Sequence, residues 1–383
     1  MAIEIINPRD AVRPAYYSQA VRVDDTVYVS GQVAWDRKGV VVGKGDIAAQ
    51  VEQVFQNLAD VLKLAGGGLE NVVKLTAFLT NPLFYRAFRE ARVKRYPGDA
   101  PASTALIVPA LASPELLVEV EAIASLSRNR RYLNQPGRPL EQRRNFSQAA
   151  QTGDVVYVSG HAAVDREEKG VGRGDVVAQA EAIFRGISDD LAMAGAGLRN
   201  IALLKNFLIN PALFPPFWEA HNRIIPSNYP ANNVIVVGAL ASPDFLAETE
   251  AIASASGDVE LIEPPWEGKP VGYTMAARIG KTLYISGQLA RDRNGIVIGR
   301  GDIKAQAEQA LLNMGIVLRR AGVEYRDVVK ITTYLTNATF FPAWREVRTR
   351  FFPSSPPAST TVAVQGLTRA DFLIEVEAVA VLH

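Results

Sequence analysis

Cysteine is absent from the 383 residues of this chain, and histidine occurs only three times. Disulfide bonds, thiolate catalysis and cysteine metal sites are therefore excluded. His161, His221 and His383 stand one each in unlike sequence contexts, so a zinc site is not expected. The sequence predicts a protein that works without a metal ion or other cofactor.

A charge excess of either sign is also missing, because Lys and Arg total 41 against 40 for Asp and Glu. This balance gives no electrostatic reason to expect a nucleic-acid partner. No apolar run approaches the roughly 20 residues that a membrane-spanning helix needs, and the first residues lack the order of a signal peptide. We expect a cytoplasmic protein with no membrane partner, built from two or three well-cored domains.

One motif recurs three times along the chain. VYVSGQ at 27–32 returns as VYVSGH at 156–161 and as LYISGQ at 283–288, so the serines are offset by 129 and then 127 residues. Each copy continues with a GKGD or GRGD turn and ends in a strand, LLVEVEAIA, LAETEAIA or LIEVEAVA. The period is too long for a solenoid, and each copy is expected to be a small domain. The predicted domains are 1–128, 129–257 and 258–383.

Within a copy, hydrophobic periodicity predicts the order ββαβαββ. In the first copy this means a hairpin at 19–34 turning at Asp24 and Asp25, helices at 47–65 (capped by Asp46) and near 83–95, and strands at 72–79, 103–109 and 116–125. Segments 126–145 and 255–272, rich in Pro, Gly and charge, are predicted linkers. The helices would cover one face of a mixed sheet, in an α/β (α+β) fold. We expect the other faces of the three sheets to pack around a pseudo-threefold axis.

These motifs, with the AQ of the first helix, the PA-x-[ST] strand and the terminal E-x-EAIA strand, resemble the RidA/YjgF family of imine/enamine deaminases. The resemblance spans essentially the whole chain, three times. It implies chorismate-mutase-like units that form a covalent trimer with a ligand cleft at each boundary. The implied partner is a small, carboxylate-bearing substrate, and the chain would be a monomeric pseudo-trimer or a further homo-oligomer.

The resemblance also implies the cleft residues. Catalytic roles fall on the serine of SGQ and on a glutamate of the last strand, at Ser30, Ser159, Ser286, Glu119, Glu248 and Glu375. Substrate contacts fall on an aromatic residue before the first strand and on the residue that closes the SGQ motif, at Tyr17, Phe146, Tyr273, Gln32, His161 and Gln288. The two acids of V-E-V-E are expected to point to opposite faces, and the resemblance selects the first. The serines could instead buttress a turn, and the glutamates could form surface ion pairs.

This chain departs from the family at one position. Active members carry an arginine after the PA dipeptide, where this chain has Ser103, Asn232 and Ser359. On the second helix, the place of a family asparagine is taken by Arg89, Trp218 and Arg345. We hypothesise that Arg89 and Arg345 bind carboxylate from another direction, which suits a longer or dicarboxylic substrate, while Trp218 packs or forms a cleft wall. Since repeat two alone breaks the pattern, the clefts are expected to be inequivalent.

The chemistry that these residues favour is hydrolytic deamination of an enamine or imine, of a 2-aminomuconate-type dicarboxylate in particular. A non-catalytic protein that binds a ligand or another protein is the alternative. A ring-opening amidohydrolase is a third, and it would need Ser–Lys pairs facing one cleft. Lys74, Lys205 and Lys330 are the lysines in question, and we expect them in strand-face ion pairs.

Overall fold

The computed structural model of the protein describes residues 3–8, 16–135, 146–165, 167, 169–263 and 271–383. Within these ranges the chain forms three units, each a mixed β-sheet with two α-helices. The predicted order ββαβαββ is present in every unit and is preceded by one further strand. No helix of the described ranges is both long and apolar enough to span a bilayer.

The first unit has its strands in the order β1-β2-β3-β6-β4-β5. Its elements are β1 (Ile3–Ile6), β2 (Ala20–Val23), β3 (Thr26–Val33), α1 (Ile47–Leu64), β4 (Val72–Leu79), α2 (Tyr85–Arg95), β5 (Ala102–Ile107) and β6 (Val118–Ser125). The sheet is mixed because β4 pairs parallel with β5 and antiparallel with β6.

The second and third units repeat this topology. The second contains β7 (Arg130–Leu133), β8 (Ala149–Thr152), β9 (Val155–Val158), β10 (His161–Ala162), α3 (Val176–Ala192), β11 (Ile201–Leu208), α4 (Phe214–Ile224), β12 (Ala231–Val236) and β13 (Ala247–Ser254). The third contains β14 (Glu260–Ile262), β15 (Ala276–Ile279), β16 (Thr282–Leu289), α5 (Ile303–Arg320), β17 (Val328–Leu335), α6 (Phe341–Phe351), β18 (Ala358–Ala363) and β19 (Ile374–Val381).

Local sequence explains where these elements begin and turn. The Asp46 carboxylate accepts a hydrogen bond from the backbone N–H of Ala49 at 3.1 Å and caps α1, as predicted. The hairpin between β2 and β3 turns at Asp24, whose φ is +49°. The equivalent positions are Gly153 and Gly280, each with φ of +54°, because a left-handed turn residue is easiest for glycine and tolerable for aspartate.

The two predicted linkers are only partly linkers. Strand β7 lies inside 126–145 and pairs antiparallel with β8, and β14 lies inside 255–272 and pairs with β15. Both are edge strands of the sheet that follows them, so pairing outweighs their poor strand composition. The parts of these segments at 136–145 and 264–270 lie outside the described residues.

Each sheet is buried on both faces. On one face the two helices of the unit close a core, in which Phe55 of α1 stacks on Phe88 of α2 with ring centroids 6.1 Å apart. On the other face, residues of all three units share one apolar cluster that includes Phe78, Phe207 and Tyr334 at equivalent positions. Burying each such ring contributes about 1.5–3 kcal/mol, so the units stabilise one another.

Backbone hydrogen bonds join the units in a closed ring. The N–H of Ser18 donates to the carbonyl of Pro357 at 3.1 Å, that of Ser147 to Pro101 at 3.1 Å, and that of Thr274 to Pro230 at 3.0 Å. These equivalent contacts define a third–first, a first–second and a second–third boundary, each named by the repeats it joins. The predicted pseudo-threefold arrangement is confirmed.

Candidate active site at the repeat boundaries

The serine of the SGQ motif fastens one repeat to the next. The Ser30 hydroxyl donates to the carbonyl of Ser18 at 2.5 Å and accepts from the N–H of Ser359, in the third repeat, at 2.7 Å. The same two bonds recur at the other boundaries, around Ser159 and Ser286. These buried hydroxyls hold the two walls of each boundary in register, while their predicted catalytic role stays a prediction.

The glycine of the same motif makes room for the predicted glutamate. A Cβ at Gly31 would lie 1.8 Å from Oε1 of Glu119, and the corresponding distances are 2.0 Å for Gly160 and Glu248 and 1.9 Å for Gly287 and Glu375. None of these glycines has a positive φ, so the need is for space and not for an unusual backbone conformation. Each boundary thus places one buried carboxyl group against the glycine backbone.

The environment of Glu119 favours its neutral form. Burial raises the pKa of Glu119 to about 8, the neighbouring Glu121 also raises it, and Lys330 acts in the opposite direction. Burial likewise raises the pKa of Glu375 to about 8, with Glu377 adding to the effect and Arg291 opposing it. At neutral pH these groups are mainly carboxylic acids that can donate a proton.

The expectation that the two acids of V-E-V-E point to opposite faces is wrong. Glu119 and Glu121 are two residues apart, and the side chains of a strand repeat with a period of two. Both therefore lie on one face, close enough for Glu121 to raise the pKa of Glu119, while Val118 and Val120 pack in the helix-side core. Each glutamate at the cleft consequently has a second carboxylate behind it.

The buried guanidinium of the cleft lies one helical turn beyond the predicted position. Arg348 of α6 is only 3% exposed and donates from Nη1 to the Ser359 hydroxyl. Arg92 of α2 makes the same bond to the hydroxyl of Ser103, at 2.7 Å. The predicted Arg89 and Arg345 are exposed, and the Arg345 guanidinium lies 4.3 Å from the Tyr16 ring centroid.

Arg348 is a buried cation with no counterion among the described residues. No described carboxylate lies within ion-pair distance of it, and its Nε has no hydrogen-bond partner within the described part of the chain. Burial lowers the pKa of Arg348 to about 10, which leaves it positively charged at neutral pH. A buried charge of this kind is costly, so a ligand anion would be a strongly favoured partner.

Aromatic rings line the guanidinium. Arg348 lies 5.3 Å from the ring centroid of Tyr16, and Arg92 lies 5.3 Å from that of Phe146. The hydroxyl of Tyr17 is buried, and burial raises its pKa, with Tyr16 and Glu119 adding and Arg348 opposing. Because both groups act on the pKa of Tyr17, Tyr17 lies near the glutamate and the arginine of the third–first boundary.

The residue that closes the SGQ motif turns away from the glutamate. Gln32 donates to the carbonyl of Ser30 at 3.1 Å and stands opposite Val120, which packs in the helix-side core. Gln288 repeats this bond to Ser286 at 2.8 Å. His161 packs against Gly186 of α3, with Nε2 3.5 Å from the Asp190 carboxylate. This placement against the helix layer gives their predicted substrate contact no support.

The second–third boundary differs from the other two. Trp218 and His221 of α4 take the places of Arg345 and Arg348, and their rings stack with centroids 4.6 Å apart. Asn232 replaces the serine and contacts His221 at 3.3 Å. On the third-repeat side of this boundary, the Tyr273 hydroxyl accepts a hydrogen bond from Arg291 of the same repeat. The predicted inequivalence of the clefts is therefore visible in the side chains.

The three lysines lie in ion pairs, as predicted. Lys74 binds Glu250 at 2.8 Å and Lys330 binds Glu121 at 2.7 Å, each across a boundary. Lys205 binds Glu377 at 2.5 Å. Their described partners are carboxylates, threonine hydroxyls and the backbone carbonyls of Val158 and Val29, so these contacts are not the Ser–Lys pairs that a ring-opening amidohydrolase would need.

The third–first boundary combines a protonated glutamate, Glu119, with a buried guanidinium, Arg348, and Tyr17 lies near both. The family model of Endoribonuclease L-PSP matches residues 10–126, 137–255 and 268–382. The chain belongs to this family, and the expected resemblance to RidA/YjgF proteins is confirmed.

Similar proteins have the length of one repeat. A RutC family protein of Pyrococcus horikoshii is 41% identical over 113 residues, which cover 29% of this chain and 89% of that protein. The human 2-iminobutanoate/2-iminopropanoate deaminase is 36% identical over 109 residues, 28% of this chain and 79% of the relative. A chorismatase crystal structure covers 81% of this chain and 93% of its own at a TM-score of 0.56 and 16% identity, a likeness of fold alone.

Proposed function

We propose that the chain is a hydrolytic deaminase of 2-imino acids and their enamine tautomers, acting at the third–first and first–second boundaries. The observation that carries this proposal is Arg348, a buried guanidinium beside Ser359 without a described counterion. The substrate carboxylate supplies the missing negative charge, and the imine carbon then lies toward Gly31 and Glu119. Relatives that bear the name of imine deaminases support the same reaction class.

Glu119 enters this reaction protonated, because its pKa is about 8. It first donates its proton to the imine nitrogen, or to the β-carbon of an enamine, and leaves an electrophilic iminium ion. The carboxylate then accepts a proton from the water that attacks the iminium carbon. In the last step Glu119 protonates the amine, ammonia leaves, and the proton of the hydroxyl group passes to the Glu119 carboxylate, which yields the 2-oxo acid and restores the protonated enzyme. One residue thus gives a proton twice and accepts a proton twice in each cycle.

The test is 2-oxobutanoate formation from 2-iminobutanoate, generated in situ from 2-aminobutanoate by an amino-acid oxidase. The protein should accelerate hydrolysis above the spontaneous rate. Glu119→Gln with Glu248→Gln should lower kcat by about 10²–10⁴-fold. Arg92→Met with Arg348→Met should raise KM by about 10–100-fold, since hydrogen bonds to a charged group are worth about 1.5–3 kcal/mol.

Arg350→Met is the matched control, because Arg350 is exposed on the same helix and pairs with Glu308. It should leave both constants unchanged. We also expect kcat/KM to decline above pH 8, as Glu119 loses the proton that it must donate. Folded wild-type protein that fails to accelerate hydrolysis would contradict the proposal and favour a non-catalytic binding role.

A dicarboxylic enamine of the 2-aminomuconate type is a second candidate substrate. The observation in its favour is that Arg345 and Arg348 lie over the same Tyr16 ring, at 4.3 and 5.3 Å. One carboxylate would bind the buried Arg348 and the other the exposed Arg345. Arg345→Met should then raise KM for the dicarboxylate and leave KM for 2-iminobutanoate unchanged. Equal effects on both substrates would count against it.

A further inference from the structure

The second–third boundary has lost the buried arginine that the second helix of the unit supplies at the other two boundaries, although Arg291 remains beside Tyr273. His221 stands where the first and third repeats have Arg92 and Arg348, and Asn232 stands where they have a serine. His221 is fully buried, as both arginines nearly are. The side chain that would meet a carboxylate here is therefore an imidazole.

Hydrogen bonds fix this imidazole in a neutral form. The side-chain nitrogen Nδ2 of Asn206 donates to Oδ1 of Asn232 at 2.9 Å, which directs Nδ2 of Asn232 toward Nε2 of His221. Nε2 must then accept, so the ring proton lies on Nδ1, 3.0 Å from Oδ1 of Asn222. Burial also lowers the pKa of His221. The ring has no positive charge to offer an anion.

A second replacement fills the outer part of the same cleft. Gly272 stands where the first repeat has Tyr16, and a Cβ at Gly272 would lie 2.4 Å from the Trp218 ring. Trp218 therefore uses the space that the smaller residue leaves, and its ring centroid lies 6.4 Å from that of Tyr273. An aromatic wall has replaced the two arginines that lie over Tyr16 at the third–first boundary.

We infer that the chain holds two carboxylate-binding clefts and not three. The third–first and first–second clefts bind a 2-oxo or 2-imino carboxylate through Arg348 and Arg92, and His221 with Trp218 excludes it from the second–third cleft. The class of ligand in this inference is taken from the proposed function. The inference adds that each chain binds two equivalents of ligand, and it names the residues that determine this number.

The experiment is equilibrium dialysis with radiolabelled 2-oxobutanoate, which measures binding without turnover. Wild-type protein should bind two equivalents per chain, Arg348→Met and Arg92→Met one each, and the double variant none. Arg350→Met, at the exposed position, should keep two. His221→Arg combined with Asn232→Ser should create a third site, because it rebuilds the pair found at the other boundaries.

Three equivalents in wild-type protein would overturn the inference. A fall from three to two in Arg291→Met would then identify Arg291, the cation beside Tyr273, as the clamp of the third cleft. Absence of binding, or arginine variants that keep two equivalents, would overturn it as well. Two equivalents without ammonia release would instead refute the proposed deaminase function and leave this inference standing.

Discussion

Removing Lys205 should destabilise the whole assembly, because this residue balances a buried cluster of charges near the pseudo-threefold axis. The cluster contains three carboxylates and three lysines, contributed by all three repeats, at Glu121, Glu250, Glu377, Lys74, Lys205 and Lys330. Glu377 depends on Lys205 at 2.5 Å and on the Asn233 amide. Its remaining neighbours, Glu121 and Glu250, are carboxylates that raise its pKa.

The expected cost follows from this geometry. Lys205→Met leaves Glu377 buried with an amide as its described partner, and breaking a buried ion pair from one side costs about 3–5 kcal/mol. Glu377 can limit the loss by taking up a proton, since burial already raises its pKa above the ordinary 4.5. A raised pKa contributes stability at low pH that disappears as the pH rises. The deficit should therefore be larger at pH 8 than at pH 5.

Urea unfolding at both pH values measures this deficit, with a relocated lysine as the control. Leu203 occupies the position of Lys74 and Lys330, and Lys205 stands two residues further along the strand. Leu203→Lys combined with Lys205→Thr moves the charge to the site that the other repeats use. It should recover stability to within about 1 kcal/mol of wild type. A Lys205→Met protein as stable as wild type at pH 8 would refute the reasoning.

Three further predictions concern the clefts. Gly31→Ala with Gly160→Ala should abolish most imine hydrolysis, because each new Cβ would lie within 2.0 Å of a glutamate oxygen. The control Gly98→Ala, whose Cβ meets open space, should hydrolyse imines like the wild type. A Gly31→Ala, Gly160→Ala protein as active as the wild type would show that Glu119 and Glu248 take no part in the mechanism. Glu119→Gln should gain stability relative to wild type by up to about 1.4 kcal/mol per pH unit as the pH rises from 4.5 toward 8, since the folded pKa is raised. A difference independent of pH in urea unfolding would show that the pKa is ordinary. Ser30→Ala should cost about 1–3 kcal/mol in the same assay, because the N–H of Ser359 loses its buried partner. A loss like that of Ser113→Ala, at an exposed loop hydroxyl, would argue against this role.

The sequence was most informative where a local pattern has a single physical solution. Asp46 before an apolar periodic run predicted the cap and the extent of α1, because an N-terminal aspartate satisfies helix N–H groups. Repetition of VYVSGQ predicted three equivalent sheets that need cover on their second faces. The edge strands β7 and β14 were missed because their polar composition resembles a linker, and their pairing partners lie beyond the next turn.

The candidate site was harder to predict because it depends on the burial of single side chains. Family correspondence selected Arg89 and Arg345, whereas helical periodicity would have selected Arg92 and Arg348. Phe88, Ala91 and Arg92 are the buried residues of α2, at the spacing of one helical face. An arginine on the apolar face of a helix was the signal that went unused. The neutral tautomer of His221 could not be read from sequence, because it depends on amides from three elements.

The two sets of unusual residues in this chain fall on one boundary. Lys205 replaces the lysine pattern where the second repeat meets Glu377 of the third, and His221 with Trp218 replaces the arginines at the same junction. In a homotrimer any such change would appear at all three boundaries and remove every carboxylate clamp together. Fusion of the repeats permits one boundary to lose its buried cation while the other two keep Arg92 and Arg348. The residues at the second–third boundary can therefore differ from those at the other two boundaries, provided that two clefts suffice for the reaction.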